Sequence, residues 1–363
     1  MSYKFKILSI DGGGIRGILP ATILAEIEKR TGLRVFEMFD LMAGTSTGGM
    51  LALGLAKPNP NNPTEAEYTA KDLVEFYKKH GKTIFQKQRL VEVRRKFLQP
   101  ILTQMQKLSG EPIGDIEDLF DPKYIAQGRE DVLDKLLGEM PLEKALKEVF
   151  ITSYDTVLRL PVFFTSKDKL PWYGENYRKI CKGFTMKQAA MATSAAPTYF
   201  PSFLLPTEAD SNANGSYCLV DGAVFANNPT SLAIMEAIID AKKEGKTLNM
   251  DDILVVSLGT GSLTRKFPYE KTKRWGVLEW IEPIIQITLD GQSESVACQL
   301  EQLLPNANEK PKQYYRFQGS LDKANDNLDD PSPENIANLE ELARRIIKER
   351  DKDLDQLCEQ LMR

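Results

Sequence analysis

The sequence predicts an α/β fold built on a mainly parallel sheet covered on both faces. Short apolar strands alternate with helical stretches along most of the chain, the pattern of such a sheet. Four of those strands run directly into Gly- or Asp-rich loops, at Asp11-Gly12, Gly44, Asp221-Gly222 and Gly259. Ligands of open α/β sheets bind outside the carboxyl ends of the strands. The four loops are therefore expected to crowd one edge and form the site.

Taken in order, Lys6–Ile10 is an apolar strand ending at Asp11-Gly12-Gly13-Gly14. A helix follows from about Ile18 to Arg30, with Gly32 placed to end it in the left-handed conformation. Phe39–Ala43 reads as a strand and Met50–Ala56 as a helix of small residues. Three prolines in Lys57–Pro63 exclude helix and central strand, so a loop is expected there. Glu67–His80 is amphipathic, with Leu73, Phe76 and Tyr77 on one side and lysines on the other. Residues 86–147 read as mostly helical, broken at Pro100, Gly110-Glu111-Pro112 and Gly138.

Val149–Tyr154 and Pro161–Thr165 are strands around a turn, Met186–Thr193 a helix, and Tyr217–Val220 a strand ending in Asp221-Gly222. Thr230–Lys243 is helical, and Ile253–Leu258 is a buried strand. After Gly319 comes an acidic loop, then one helix entered at Ser332-Pro333, a capping serine followed by proline at the first helical position. Ile336, Leu339, Leu342, Ala343, Ile346 and Ile347 share a face of that helix, which docks on the core or meets a second copy in a homodimer. The expected division is a main domain over 1–320, with 321–363 packed upon it.

Composition narrows the function. A net charge of −4 argues against a nucleic-acid polymer as partner. The four cysteines (Cys181, Cys218, Cys298, Cys358) are scattered, giving neither a metal-site spacing nor a disulfide framework. No stretch has the makeup of a signal peptide or the length of a membrane span. The expectation is a soluble, cytoplasmic protein that meets any lipid by docking at its surface.

The chemical signal lies in Gly44-Thr45-Ser46-Thr47-Gly48, a G-x-S-x-G sequence between a strand and a helix. That pattern exposes a serine hydroxyl on a sharp turn above the sheet. The triad order of such enzymes needs a histidine late in the chain, and the only histidine is His80, at the end of a lysine-rich helix. The base is therefore expected to be a carboxylate. Asp221 is preferred to Asp11 and Asp40, because it ends an apolar strand at the same sheet edge beside Gly222. Its ordinary pKa of about 3.9 is poor for this work, and burial would raise it.

Gly12, Gly13 and Gly14 can present backbone N–H groups to a developing oxyanion. Arg16 could add a fixed positive charge. The same glycines, with Gly17, also satisfy G-x-G-x-x-G. Asp11 would sit against a pyrophosphate, however, and no ribose-binding acid ends the next strand. Lys87–Phe97 mixes Arg89, Arg94, Arg95 and Lys96 with apolar residues, and reads as a solvated helix face in preference to a lipid-facing one.

Together, Asp11–Gly17, Gly44–Gly49, Thr193–Pro201 and Asp221–Ala223 resemble, in order, the motifs of the patatin-like phospholipases. Pro161–Thr165 and Ser257–Gly261 look like further blocks of that family, and the resemblance spans roughly residues 5–265. It implies a three-layer α/β/α fold and a Ser-Asp dyad hydrolysing lipid acyl esters. Ser46 falls on the nucleophile and Asp221 on the base; Gly12, Gly13, Gly14 and Arg16 fall on the oxyanion-hole motif. Gly44, Gly48 and Gly222 complete the motifs. No catalytic calcium, other metal or cofactor is implied. The implied substrates are phospholipids, lysophospholipids or galactolipids at a membrane or micelle surface. Two further readings stay open. One is an antiphage effector switched on by a cyclic nucleotide, with a sensor in 86–147 or after 320. The other is a storage or binding protein with a vestigial site.

Overall fold

In the computed structural model, residues 3–86, 122–167, 176–207, 215–304 and 312–363 are described. The basic-apolar stretch Lys87–Phe97 and the expected breaks at Pro100 and Gly110-Glu111-Pro112 lie outside them.

Among the described residues, nine strands form one sheet: β1 (Phe5–Ile10), β2 (Leu41–Thr45), β3 (Glu148–Asp155), β4 (Leu160–Thr165), β5 (Arg178–Ile180), β6 (Phe203–Pro206), β7 (Ser216–Asp221), β8 (Ile253–Leu258) and β9 (Tyr314–Phe317). Their order is β9-β8-β1-β2-β3-β4-β5, with β7 against β3 and β6 against β7. The half from β9 to β3 is parallel throughout. The sheet is nonetheless mixed, because the β3–β4 hairpin and both pairings of β7 are antiparallel.

Alternation along the strands sorts side chains onto two faces. Leu8, Ile10, Met42, Val149, Ile151, Leu254 and Val256 join one buried cluster. Ile7, Leu41, Ala43, Phe150, Ile253 and Val255 join the other. The first face is covered by α1 (Ile18–Thr31), α2 (Thr47–Ala56), α3 (Ala70–Ile84), α4 (Ala126–Leu137), α5 (Met186–Thr193), α8 (Pro333–Glu349) and α9 (Asp351–Leu361). On the second lie α6 (Thr230–Lys243) and α7 (Val277–Leu303). The result is the three-layer α/β/α arrangement.

Several expectations need correction. The elbow strand begins at Leu41, two residues later than expected, because Asp40 is committed to β1: its carboxylate accepts from the Lys6 N–H at 2.8 Å. Lys57–Pro63 is not wholly loop. Pro58–Asn59 and Asn62–Ala66 pair as a small two-stranded ribbon away from the main sheet, where a proline costs no ladder bond. The C-terminal helix is two helices, interrupted at Arg350, whose φ of −107° and ψ of 24° leave the helical range. Ile336, Leu339, Leu342, Ala343 and Ile346 are buried within the chain, and α8 and α9 both pack on α1. Arg30 of α1 ties α9 down through Asp351 (2.8 Å) and Asp355 (2.7 Å). That face is thus filled by the protein's own first helix rather than by a second copy.

Candidate active site

The end of β2 and the end of β7 meet on β3. With eight residues, β3 outruns β2, whose ladder stops at Thr45 opposite Thr152. The vacated edge is taken by β7 running the opposite way, with Asp221 opposite Ser153. Thr152 and Ser153 are consecutive, so Thr45 and Asp221 arrive at adjacent rungs. One residue past Thr45, the chain turns at Ser46.

That turn is sharp. Ser46 has φ 55° and ψ −124°, a conformation that costs an L-residue about 1–3 kcal/mol. The turn is sustained by close packing at Gly48, where a Cβ would strike the carbonyl of Ile10 in the neighbouring strand. The Ser46 N–H donates to the Thr193 hydroxyl at 2.9 Å, and its carbonyl accepts from the Met50 N–H at 3.0 Å in the first turn of α2. Thr45 braces the base of the turn through Thr152 and the Ala226 carbonyl, both at 2.6 Å.

Asp221 is 2% exposed. Its carboxylate accepts a hydrogen bond from the Ala223 N–H at 2.9 Å, and the Ser46 hydroxyl lies near enough to favour its ionised form. Burial pushes its pKa up to about 6, outweighing both of these influences and the nearby positive charge of Arg129. Residues 193–195 hold both partners in place. Thr193 receives the Ser46 N–H, and the Ala195 carbonyl receives the Asp221 N–H at 3.0 Å. Between them, the Ser194 carbonyl is gripped by the guanidinium of Arg129, which is itself 1% exposed and lies over the Phe200 ring.

The glycine loop presents two peptide units to the same place. The Gly12 carbonyl is held by the Thr260 hydroxyl at 2.7 Å, and the Gly13 carbonyl by Arg16 through its backbone N–H (3.1 Å) and its Nε (3.3 Å). In a trans peptide the N–H points away from the carbonyl. Each clamp therefore turns the following N–H, of Gly13 and Gly14, to the opposite side. Gly13, Gly14, Ser46, Thr47 and Asp221 all line one cavity. Gly14 has φ 57°, and a Cβ there would run into the Leu328 carbonyl.

Two of the expected site residues stand one step back. The Gly12 N–H is already given to the Asn227 carbonyl at 3.0 Å. Arg16 faces an adjoining recess with Asp290 and Asp326, and burial lowers its pKa to about 10. Asp11 is likewise engaged, in a buried ion pair with Arg316 at 2.6 Å. His80 packs on Phe76, ring centroids 4.8 Å apart, outside the lining of the cavity.

The cavity above Ser46 measures about 1100 Å³ including its open mouth. Its walls are mainly apolar, among them Met50, Ile84, Phe85, Phe200, Ile285 and Leu289. Sequence reasoning missed Arg129. The available signal was an arginine on the apolar stripe of α4, followed by Val132, Leu133 and Leu136 at i+3, i+4 and i+7.

The model of the patatin-like phospholipase family matches residues 8–234, from the glycine loop through Asp221. The chain belongs to the patatin-like phospholipases. Over 94% of its length it is 32% identical to patatin-like protein 2 of rice (Oryza sativa subsp. indica), the match covering 83% of that protein. It is also 32% identical, over 94% of its length and 86% of the relative, to a potato (Solanum tuberosum) protein named probable inactive patatin-3-Kuras 1. The similarity to solved structures is weaker. Human GIVD cytosolic phospholipase A2 matches 99% of this chain and 62% of its own at 12% identity, with a TM-score of 0.46. Among the described residues, no helix is long and apolar enough to cross a membrane.

Proposed function

We propose that this patatin-like protein is a serine hydrolase that cleaves carboxylic ester bonds of lipids. One observation carries the reading: Ser46 lines an apolar cavity together with a buried aspartate, Asp221, whose pKa is raised to about 6 and on which the serine hydroxyl acts. Such a carboxylate is ionised at neutral pH yet far more basic than a free one, which is what a general base requires.

In the first half-reaction Ser46 Oγ attacks the ester carbonyl carbon while its proton passes to Asp221. The carbonyl oxygen takes the negative charge and is met by the N–H groups of Gly13 and Gly14. Collapse of the tetrahedral species breaks the ester C–O bond, and the leaving alkoxide collects the proton from Asp221. Water then attacks the acyl-serine, giving its proton to the same aspartate. The second collapse frees the fatty acid and returns the proton to Ser46. The apolar walls suit acyl chains, so the substrate class is an amphiphilic lipid ester: a phospholipid, lysophospholipid or galactolipid.

A fluorophosphonate probe tests the site directly. Labelling of the native protein, lost in Ser46→Ala, is the expected result. A folded native protein that resists the probe would instead be a vestigial relative, like the potato protein whose name marks it as probably inactive. Profiling the products released from a mixed-lipid extract then assigns the headgroup and the acyl position.

A further inference from the structure

Beside the cavity lies a surface that the chemistry above leaves unused. Residues 265–274 read Arg-Lys-Phe-Pro-Tyr-Glu-Lys-Thr-Lys-Arg, with five cations and one anion in a chain of net charge −4. Arg265 reaches Glu282 at 3.6 Å and Lys273 pairs with Glu270. Lys266, Lys271 and Arg274 have no ion-pair partner among the described residues. This segment leads straight into α7.

The first half of α7 carries an apolar stripe at Val277, Trp280, Ile284 and Ile287, the i, i+3, i+7, i+10 spacing of one helix face. Val277 is 79% exposed and Ile284 53%, and Tyr269 of the preceding turn is 73% exposed. Trp275 stands edge-on between Phe267 and Trp280, at centroid distances of 5.5 and 4.9 Å. The stripe does not stop at the surface. Ile284, Ile285 and Leu289 also form part of the wall of the cavity that Ser46 lines, so the exposed stripe and the cavity share Ile284.

We infer that the 265–276 segment and the first half of α7 dock the protein on an anionic lipid bilayer, with the cavity mouth facing the membrane. The inference rests on the hydrolase reading for its purpose, since a lipid ester must leave the bilayer to reach Ser46. The chemistry of the surface stands apart from that reading. Apolar side chains enter the acyl boundary, tryptophans sit at headgroup level and lysines and arginines meet anionic headgroups. Charge also decides against a second copy as the occupant. A two-fold pairing of identical patches sets the five cations of one against the five of its mate.

The test uses the full-length Ser46→Ala protein, which can bind without digesting its target, and vesicles of phosphatidylcholine with and without phosphatidylglycerol. Sedimentation with the anionic vesicles, weakened by salt, is expected. The triple variant Lys266→Glu/Lys271→Glu/Arg274→Glu should bind them at least about tenfold more weakly. Tyr269→Ser/Val277→Ser should also bind less, with milder salt dependence. In the Ser46 background both sets should hydrolyse a short soluble ester at the wild-type rate while losing activity on vesicle lipid. Undiminished vesicle binding by the triple variant overturns the proposal. So does a dimer in light scattering that the triple variant dissociates. Vesicle binding that survives in a protein with no activity on the soluble ester leaves the docking surface in place and removes the hydrolase reading.

Discussion

Thr45 and Asp221 occupy adjacent rungs on the same edge of one strand, Thr45 opposite Thr152 and Asp221 opposite Ser153. They come from strands of opposite direction, 176 positions apart by residue number (221 − 45). The register of β3 thus sets how closely a carboxylate from late in the chain approaches the elbow serine. The geometry of the proposed Ser46–Asp221 dyad is set first by strand pairing.

Activity should follow the ionisation of Asp221. Its pKa is raised to about 6, so kcat/KM on a soluble ester should be flat above pH 7 and fall about tenfold per pH unit well below 6. A profile whose acid limb sits near pH 4 would mean that the free carboxylate, not the buried one, is titrating.

Asp221→Asn should remove activity by about 100- to 10,000-fold while leaving the protein folded. Its effect on stability has a definite sign. The folded pKa is raised above the unfolded one, so the wild type is most stable, relative to this variant, below about pH 4, and loses stability as pH climbs through about 6. The unfolding midpoint of Asp221→Asn should therefore gain on that of the wild type between pH 4 and 7. A gap that does not change with pH would contradict the burial assigned to this group.

Thr260 acts on the glycine loop through its bond to the Gly12 carbonyl. Thr260→Val keeps the volume and removes that bond, freeing the peptide that aims the Gly13 N–H. Loss of an oxyanion donor costs about 100- to 1000-fold, so a loosened one should lower kcat by about tenfold with KM nearly unchanged. Thr260→Ser should restore most of it. If serine does not rescue, the hydroxyl is not what holds the loop.

Gly48→Ala places a methyl group against the Ile10 carbonyl. Because both partners are backbone, relief requires β1 and α2 to separate, at a cost of about 1–3 kcal/mol. Urea denaturation should show that loss, with activity falling further than stability as the elbow shifts. An unaltered midpoint would show that the two elements have slack.

Much of this was readable from residue patterns. Met186–Thr193, Thr230–Lys243 and Ile253–Leu258 emerged with the expected bounds, because each has a clear period and clear end signals. The placement of Ser46 and Asp221 at strand ends was legible because a strand end beside glycine is a local feature. β5, β6 and β9 were not, being strands of three or four residues whose identity comes from the neighbour they pair with. The direction of β7 was equally hidden. Ending at the right edge is compatible with either orientation, and only the free upper edge of β3 selects the antiparallel one. The grip of Arg129 on Ser194 depends on a contact 65 residues apart, which no window along the chain contains.

The glycine loop leans on residues much later in the sequence, Arg316 and Leu328. Ile15 donates to the Leu328 carbonyl at 2.8 Å, and Asp11 is neutralised by Arg316. A chain still being made on the ribosome holds Ser46 and Asp221 long before it holds either of these supports. Competence is then expected only once residues 316–328 have been made, and a chain stopped after residue 300 should lack ester hydrolysis. Expression of that truncation, with ester hydrolysis as the readout, would show whether the last supports act as a built-in delay.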